Sequence, residues 1–437
     1  MSTDKNKLIP ELRFPEFMEY GEWEEKSLDS HCLNLSSGRD KHIPDGNYEL
    51  YGSTGIIGRV KDASYDGDFI LVARVGANAG LLNRAKGKFG VTDNTLVIDL
   101  KREEVIDFIF CSLENLRLNK LVFGSGQPLI TGGQLKSLNL IIPPKRNEQQ
   151  KIASCLSSLD EVIAAHSQKL ATLKDHKKGL MQNLFPQLSE LGLDRLKDDR
   201  IKGKEILKSQ NPKNHNSDNV PKYRFPEFLE DGDWAEKSIQ KLLDEKIIIS
   251  HLDGNHGALY PRAEEFSKVG VPYITANDFT SGLVDFANCK HLQPQRAKKF
   301  KKGIAKDGDI LFAHNATVGP VAKLVTDLPF LILSTTATYY RCDNKYLIND
   351  FLKFALSSPV FVHQYSRVMS QSTRNQVPIT TQRKFNLQLP KPEEQQKIAS
   401  CLSSLDDLIT AQTEKIKQLK LHKKGLMQGL FPRSITN

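Results

Sequence analysis

The feature that most constrains this chain is that much of it is written twice. Residues 148–186 read EQQKIASCLSSLDEVIAAHSQKLATLKDHKKGLMQNLFP, and residues 394–432 read EQQKIASCLSSLDDLITAQTEKIKQLKLHKKGLMQGLFP. Of 39 aligned positions 28 are identical, at a constant offset of 246. A shorter repeat opens each half, RFPEFMEYGEWEEKSL from Arg13 and RFPEFLEDGDWAEKSI from Arg224, with 11 of 16 positions matching at an offset of 211. The offsets differ by 35, so the second half carries about 35 more residues between its landmarks. A period above 200 residues is too long for a solenoid. The chain is therefore a duplicated domain pair, two near-identical frames around two unlike interiors.

The 39-residue repeat has the periodicity of a long helix with a heptad seam. Ile152, Leu156, Leu159, Ile163, His166, Leu170, Leu173, Lys177, Leu180 and Leu184 follow 4,3 spacing. So do Ile398, Leu402, Leu405, Ile409, Gln412, Ile416, Leu419, Lys423, Leu426 and Leu430. Such a stripe needs a partner helix, and the other copy is the nearest candidate. The alternative is two amphipathic helices, each lying on its own domain. The polar seam residues His166 and Gln412 read as register-setting positions. Asn147 with Gln150 predicts a capping box, and Pro186 and Pro432 predict the helix ends.

The interiors, 24–142 and 235–389, mix strand and helix patterns. Strands are expected at 69–76, 94–100, 309–315 and 330–342, and helices at 105–122 and 346–368. The fold class expected is α+β: two mixed α/β domains, each followed by a long helix, the helices pairing as an antiparallel coiled coil about a pseudo-two-fold. The boundaries expected are a first domain at 1–145, its helix at 146–186, a charged linker at 187–222, a second domain at 223–391, and its helix and tail at 392–437. The linker holds eight Lys/Arg and six Asp/Glu, with a short helix expected near 190–208.

Several classes of function drop out. There is no run of eighteen apolar residues, and MSTDKNKLIPELRF has no apolar signal core, so a cytoplasmic chain without a membrane span is expected. Six scattered cysteines with no CxxC pair read as reduced thiols, not as a zinc site. An adenine methyltransferase needs an Asn/Asp-Pro-Pro-aromatic loop, whereas Pro143-Pro144 lies between Ile142 and Lys145. Gly87-Lys88 lacks the rest of a P-loop, and Gly52, Gly55 and Gly58 miss the dinucleotide fingerprint. Asp244-Glu245-Lys246 is half of a nuclease motif, a triplet that recurs by chance. The net charge of +9 suits a polyanionic partner.

Two variable interiors, each followed by a helix opening EQQKI, resemble the specificity (S) subunit of type I restriction–modification systems. The RFPEF…W opening, the turns YGSTGIIG (51–58) and DGDFIL (66–71), DGDILF (307–312), and the paired QPLIT (127–131) and VPIT (377–380) are similar to that family. The charged junction before Arg224 departs from it. The resemblance covers nearly the whole chain. It implies a DNA-binding subunit without catalysis, each domain reading one half of a bipartite, asymmetric site. It also implies that the helices space the domains and dock two methyltransferase (M) subunits, with restriction (R) subunits completing the nuclease. S-adenosylmethionine, ATP and Mg²⁺ would then belong to those partners, and this chain would hold no cofactor or metal.

Residue chemistry points the same way. From Arg74 to Lys88 there are four basic residues and no acid, and Arg84, Lys86 and Lys88 are candidates for phosphate contact. From Lys290 to Lys306 there are seven and no acid, including Arg296, Lys298, Lys299, Lys301 and Lys302. Base reading calls for groups that hydrogen-bond in pairs, such as Arg to guanine and Asn or Gln to adenine. The first interior offers Arg74, Asn78, Asn94 and Gln127; the second offers Asn277, His314, Asn315, Arg374, Asn375 and Gln376. The competing reading is a duplicated coiled-coil scaffold that binds protein partners, with these charges forming a solvated face.

If the helices space the domains, their length is a ruler. The 37 residues from Glu148 to Leu184 span about 55 Å at ~1.5 Å per residue. Inserting one heptad after Leu170 keeps the seam in phase and adds ~10 Å. That should widen the gap between half-sites by up to about three base pairs at ~3.4 Å each. Sequencing of methylated sites reads this directly, and an unchanged gap in an active heptad variant would rule the ruler out.

Overall fold

The computed structural model describes residues 8–122, 128–186, 219–255, 260–371 and 374–432. The chain divides into two compact units, Met1–Lys169 with Gln412–Asn437, and Leu170–Ala411. Most of the linker expected at 187–222, with its short helix, lies outside the described residues, as does Gln127.

Each unit is built on one plan. In the first, strands lie in the order Cys32–Ser37, Thr95–Leu100, Tyr65–Ala73, Leu82–Val91, with the hairpin Tyr48–Gly52 and Gly55–Val60 completing six. In the second, Ile248–Asp253, Ala337–Cys342, Ile310–Asn315 and Thr317–Lys323 repeat the first four positions. Where the first unit has its hairpin, the longer second interior builds a separate five-stranded sheet from Phe266–Ser267, Lys290–Leu292, Val271–Ile274, Leu331–Leu333 and Ile304–Ala305. A two-stranded ribbon recurs in both, Glu24–Ser27 with Asn139–Ile142 and Ala235–Ser238 with Asn386–Leu389. The sheets alternate buried apolar residues such as Ile70, Val72, Ile98 and Ile310, Phe312, Tyr340 into their cores.

Three expected elements are each broken in two. The strand expected at 330–342 is Leu331–Leu333 and Ala337–Cys342, which join different sheets across a turn held by Ser334 and Thr336. The helix expected at 105–122 ends at Leu116, because Arg117 adopts a left-handed φ of 54°, and resumes as a 3-10 turn at Leu118–Leu121. The helix expected at 346–368 is Asn349–Ala355 and Pro359–Ser370, broken where Pro359 starts a new helix capped by Ser358.

The long helices are Arg146–Asn183 and Pro392–Leu430, each contributing its first part to one unit and its last part to the other. All twenty seam positions are buried or half-buried. Within the first unit the segment 146–169 runs antiparallel to 412–430: Lys423 Nζ reaches Asp160 at 2.9 Å, and Gln412 Nε2 donates to the His166 carbonyl at 2.8 Å. Within the second unit, Lys177 pairs with Asp406. Lys177 and Lys423, and Asp160 and Asp406, are repeat equivalents, so one ion pair recurs in each unit and sets register.

The ends of these helices also complete the domain cores. Phe431 packs on Trp23 and Phe108 at 6.1 and 5.5 Å in the first unit. Phe185 packs on Trp234 and Phe351 at 6.1 and 5.7 Å in the second. The helices thus touch at Gln412–His166, Lys423–Asp160 and Lys177–Asp406, and pack on the domains at their ends. The capping box expected of Asn147 and Gln150 is absent: Asn147 sits inside the first turn, where its Oδ1 accepts from the Glu148 amide at 3.0 Å. Gln149 holds the lead-in instead, donating to the Pro143 carbonyl at 3.0 Å, as Gln395 does to Pro390 at 2.9 Å.

The two repeated motifs meet at these helix starts. Arg13 grips Glu148 with Nε–Oε1 at 2.7 Å and Nη2–Oε2 at 2.8 Å, and Arg224 grips Glu394 at 2.9 and 2.7 Å. Both glutamates are buried, and their charge is also favoured by the helix N-terminus. Removing one partner of such a pair leaves a buried charge and costs ~3–5 kcal/mol. Arg224→Met should therefore destabilise the second unit strongly in denaturant unfolding, and Arg224→Met with Glu394→Met should recover much of the loss. Equal stability of the single variant and the parent would show that the pair is dispensable.

Candidate nucleic-acid interface

Most of the proposed base readers in each unit converge on one backbone arrangement. In the second unit the strand Ile310–Asn315 turns into Thr317–Lys323, and the segment 374–377 is laced beside that turn. The Val377 amide donates to the His314 carbonyl at 2.7 Å, the Ala316 amide donates to the Asn375 carbonyl at 3.0 Å, and Asn315 bridges Gln376. Thr317 Oγ1 donates to Asn277 Oδ1 at 3.0 Å, and the neighbouring Ala276 amide donates to Thr336 Oγ1 at 2.9 Å. Asn277, Asn315, Arg374, Asn375 and Gln376 are thereby gathered around one hairpin tip, all exposed or half-exposed.

The first unit repeats this lacing bond for bond. The Ile130 amide donates to the Arg74 carbonyl at 2.9 Å, the Gly76 amide donates to the Pro128 carbonyl at 3.0 Å, and Val75 bridges Leu129. The Arg74 amide donates to the Asn94 carbonyl at 2.9 Å, where the His314 amide uses Thr336 at 3.0 Å. Arg74, Asn78 and Asn94 are brought together here, with Ser53 Oγ donating to the Asn94 carbonyl at 3.1 Å. Arg74 Nε is buried and has no hydrogen-bond partner among the described residues. The turn needs a left-handed residue, which is Gly76 at φ 77° in one unit and Ala316 at φ 64° in the other. An alanine there carries ~1–2 kcal/mol of strain, and backbone strain of this kind gathers at functional sites.

Three candidates take a different place from the one expected. Arg84 is held by Asp68, with Nε–Oδ1 at 2.7 Å and Nη2–Oδ2 at 2.6 Å, and also by Asp107. Its hydrogen bonds hold the Asp68 carboxyl below the usual range, and its charge is matched by one carboxylate on the neighbouring strand and one on a helix. Arg296 is likewise paired with Glu265 and lies over the Phe300 ring, contacts that tie down a turn. His314 is buried, and the lacing uses its backbone while its ring faces the interior. By contrast Lys86 and Lys88, and Lys298, Lys299, Lys301 and Lys302, are exposed, Lys86 lying opposite Asp68 on the neighbouring strand. The second group follows the turn Pro294–Ala297 and leads into strand Ile304–Ala305.

Thr317, Thr336 and Ser53 are not marked out by residue order, because a hydroxyl that pins a loop looks like any other loop serine or threonine. The PLIT motif (128–131) covers the lacing segment of the first unit, whereas VPIT (377–380) meets the second only at Val377 and runs on into the short helix Ile379–Gln382. All six cysteines are free thiols, and burial pushes Cys32 and Cys111 up to about 12. No described helix is long and apolar enough to cross a membrane.

One platform, present in two copies with different side chains at the same positions, defines a paired recognition protein. The type I restriction modification DNA specificity domain matches residues 22–175 and again 249–421, and the chain belongs to that family. It is similar to the type I restriction enzyme MjaVIII specificity subunit of Methanocaldococcus jannaschii, 23% identical over 377 residues that make up 84% of this chain and 79% of that one. The type I restriction enzyme EcoprrI specificity subunit of Escherichia coli is 35% identical over 113 residues, 26% of this chain and 28% of that one. The fold is shared with the crystal structure of the type I restriction–modification system S subunit from M. genitalium, with a TM-score of 0.63 and 18% identity over 98% of this chain and 100% of that one.

The exposed lysines generate a prediction. Replacing Lys298, Lys299, Lys301 and Lys302 with alanine should flatten the salt dependence of duplex binding by about 0.9 in log–log slope for each phosphate that these lysines neutralise. Sequence preference should persist. An unchanged slope would place these lysines away from the DNA.

Proposed function

We propose that this chain is the sequence-reading subunit of a type I restriction–modification enzyme, each domain recognising one half of a bipartite, asymmetric site. The observation that carries the reading is the repeated lacing. The same three backbone contacts support Arg74, Asn78 and Asn94 in one unit, and Asn277, Asn315, Arg374, Asn375 and Gln376 in the other. Identical mounts with unlike readers are what two different half-sites require, and Arg, Asn and Gln are the side chains that pair with guanine and adenine edges. The chain itself transfers no methyl group and cuts no DNA. Two M subunits docked on the long helices bring S-adenosylmethionine and methylate adenine, and R subunits bring ATP-dependent cleavage with Mg²⁺.

Domain exchange tests this. Replacing residues 24–142 with the first interior of another specificity subunit, in complex with the M subunits, should change one half of the methylated site and leave the other intact. A change in both halves would refute modular reading. Binding that random duplex competes away as well as any methylated site would favour the protein scaffold. Methyl transfer by the purified chain alone would make it an enzyme.

A further inference from the structure

One buried position differs in kind between the two units, and it lies directly behind the second lacing. The short helices Gly132–Lys136 and Ile379–Gln382 are equivalent: the Leu135 amide donates to Thr131 and the Gln382 amide to Pro378, while Leu138 and Phe385 donate back to Leu135 and Gln382. Leu135 and Gln382 therefore occupy the same place, and both are wholly buried. The first unit fills it with an apolar side chain in its core, whereas the second inserts a primary amide.

Both ends of that amide are bonded. Gln382 Nε2 donates to the Val377 carbonyl at 2.8 Å, and Oε1 accepts from Tyr340 Oη at 2.8 Å and from His251 Nε2 at 3.1 Å. Thr338 Oγ1 lies 3.1 Å from the same oxygen. The orientation is set by chemistry, because the Val377 carbonyl can only accept and the tyrosine hydroxyl needs an acceptor. Burial pushes His251 down to about 3, and because Gln382 Oε1 can only accept, the ring Nε2 is the donor. Leaving either end of a buried amide unmatched costs more than its net bond is worth, so the side chain has one arrangement.

Gln382 thus ties two things together. On one side stand strands Ile248–Asp253 and Ala337–Cys342, through His251 and Tyr340. On the other is Val377, whose amide is bonded to His314 and which immediately follows Arg374, Asn375 and Gln376. We propose that Gln382 is the positioning residue that sets the second domain's reading segment, 374–377, against its sheet, and so a determinant of specificity at the second half-site alone. The proposal rests on the reading of the chain as a two-half-site DNA reader. It carries a difference between the domains. In the first, the equivalent Ile130–Arg74 bond has no side-chain brace at this position, since Leu135 cannot supply one.

The test uses the full chain assembled with its M subunits, with methylated sites sequenced for the parent, Gln382→Leu, Gln382→Met and Tyr340→Phe. Leucine is what the first unit carries at this place, and methionine keeps the length of the side chain. Both should leave the first half-site unchanged and lower discrimination at one or more positions of the second about tenfold. Tyr340→Phe removes one of the two ties to the sheet but keeps the bonds from Gln382 to Val377 and His251, and should lower discrimination at the second half-site less than either Gln382 variant does. An unaltered second half-site in either Gln382 variant would overturn the proposal. So would loss of both half-sites together, which would make Gln382 a residue the fold needs, or a larger loss in Tyr340→Phe than in either Gln382 variant, which would make the effect one of general stability. A parent chain that yields no bipartite site would instead defeat the underlying reading of function.

Discussion

The bidentate pair between Arg13 and Glu148, and its copy between Arg224 and Glu394, is the constraint on which the rest depends. Each joins the chain's opening motif to the first turn of a long helix, more than a hundred residues later. A buried carboxylate is tolerated only where its charge is matched, and here the guanidinium fork and the helix N-terminus match it together. In the second copy Trp234 Nε1 adds a donor to Glu394 at 3.3 Å. The pairing closes each interior between its two flanking motifs. Whatever lies between must start and finish at fixed points, which is how one frame holds interiors of different length.

The second dependency is the share each helix has in two cores. The LFP sequence ends both repeats, and its phenylalanine is the aromatic that completes a tryptophan–phenylalanine cluster in each unit. Truncating a buried phenylalanine of this kind costs ~3–5 kcal/mol, so neither core is complete without a segment far away in the chain. The seam between the helices carries little of this load at its polar positions. Lys177–Asp406 and Lys423–Asp160 are partly exposed pairs, whose contribution is register more than stability.

Against that frame, the candidate reading surfaces are free to differ. Strand positions that turn inward are constrained by packing, whereas the hairpin tip needs only backbone bonds and a left-handed residue at one point. Gly76 and Ala316 meet that need in different ways, and Leu135 and Gln382 support the lacing in different ways. The first unit holds its segment by backbone bonds over an apolar contact, the second by a buried amide network. The long second interior spends its extra residues on an additional sheet, whose turn carries Lys298 to Lys302.

Duplication, the long helices, the mixed character of both interiors and the family were legible in the amino-acid sequence, because repetition and 4,3 spacing are properties of residue order. The region of the candidate site was legible too: Arg74, Asn94, Asn315 and Asn375 were marked by residue type and fall on the lacing. Tertiary structure decided which charges are spent. Arg84 and Arg296 look like free cations in sequence, yet carboxylates distant in the chain, Asp68, Asp107 and Glu265, cancel them. It also decided that Arg13 belongs with Glu148, that the single strand expected at 330–342 serves two sheets, and that Gln382 is a brace. Each of these turns on a contact between residues far apart in sequence. Residue order records the groups available for such contacts, and only the closing of the chain on itself selects the partners.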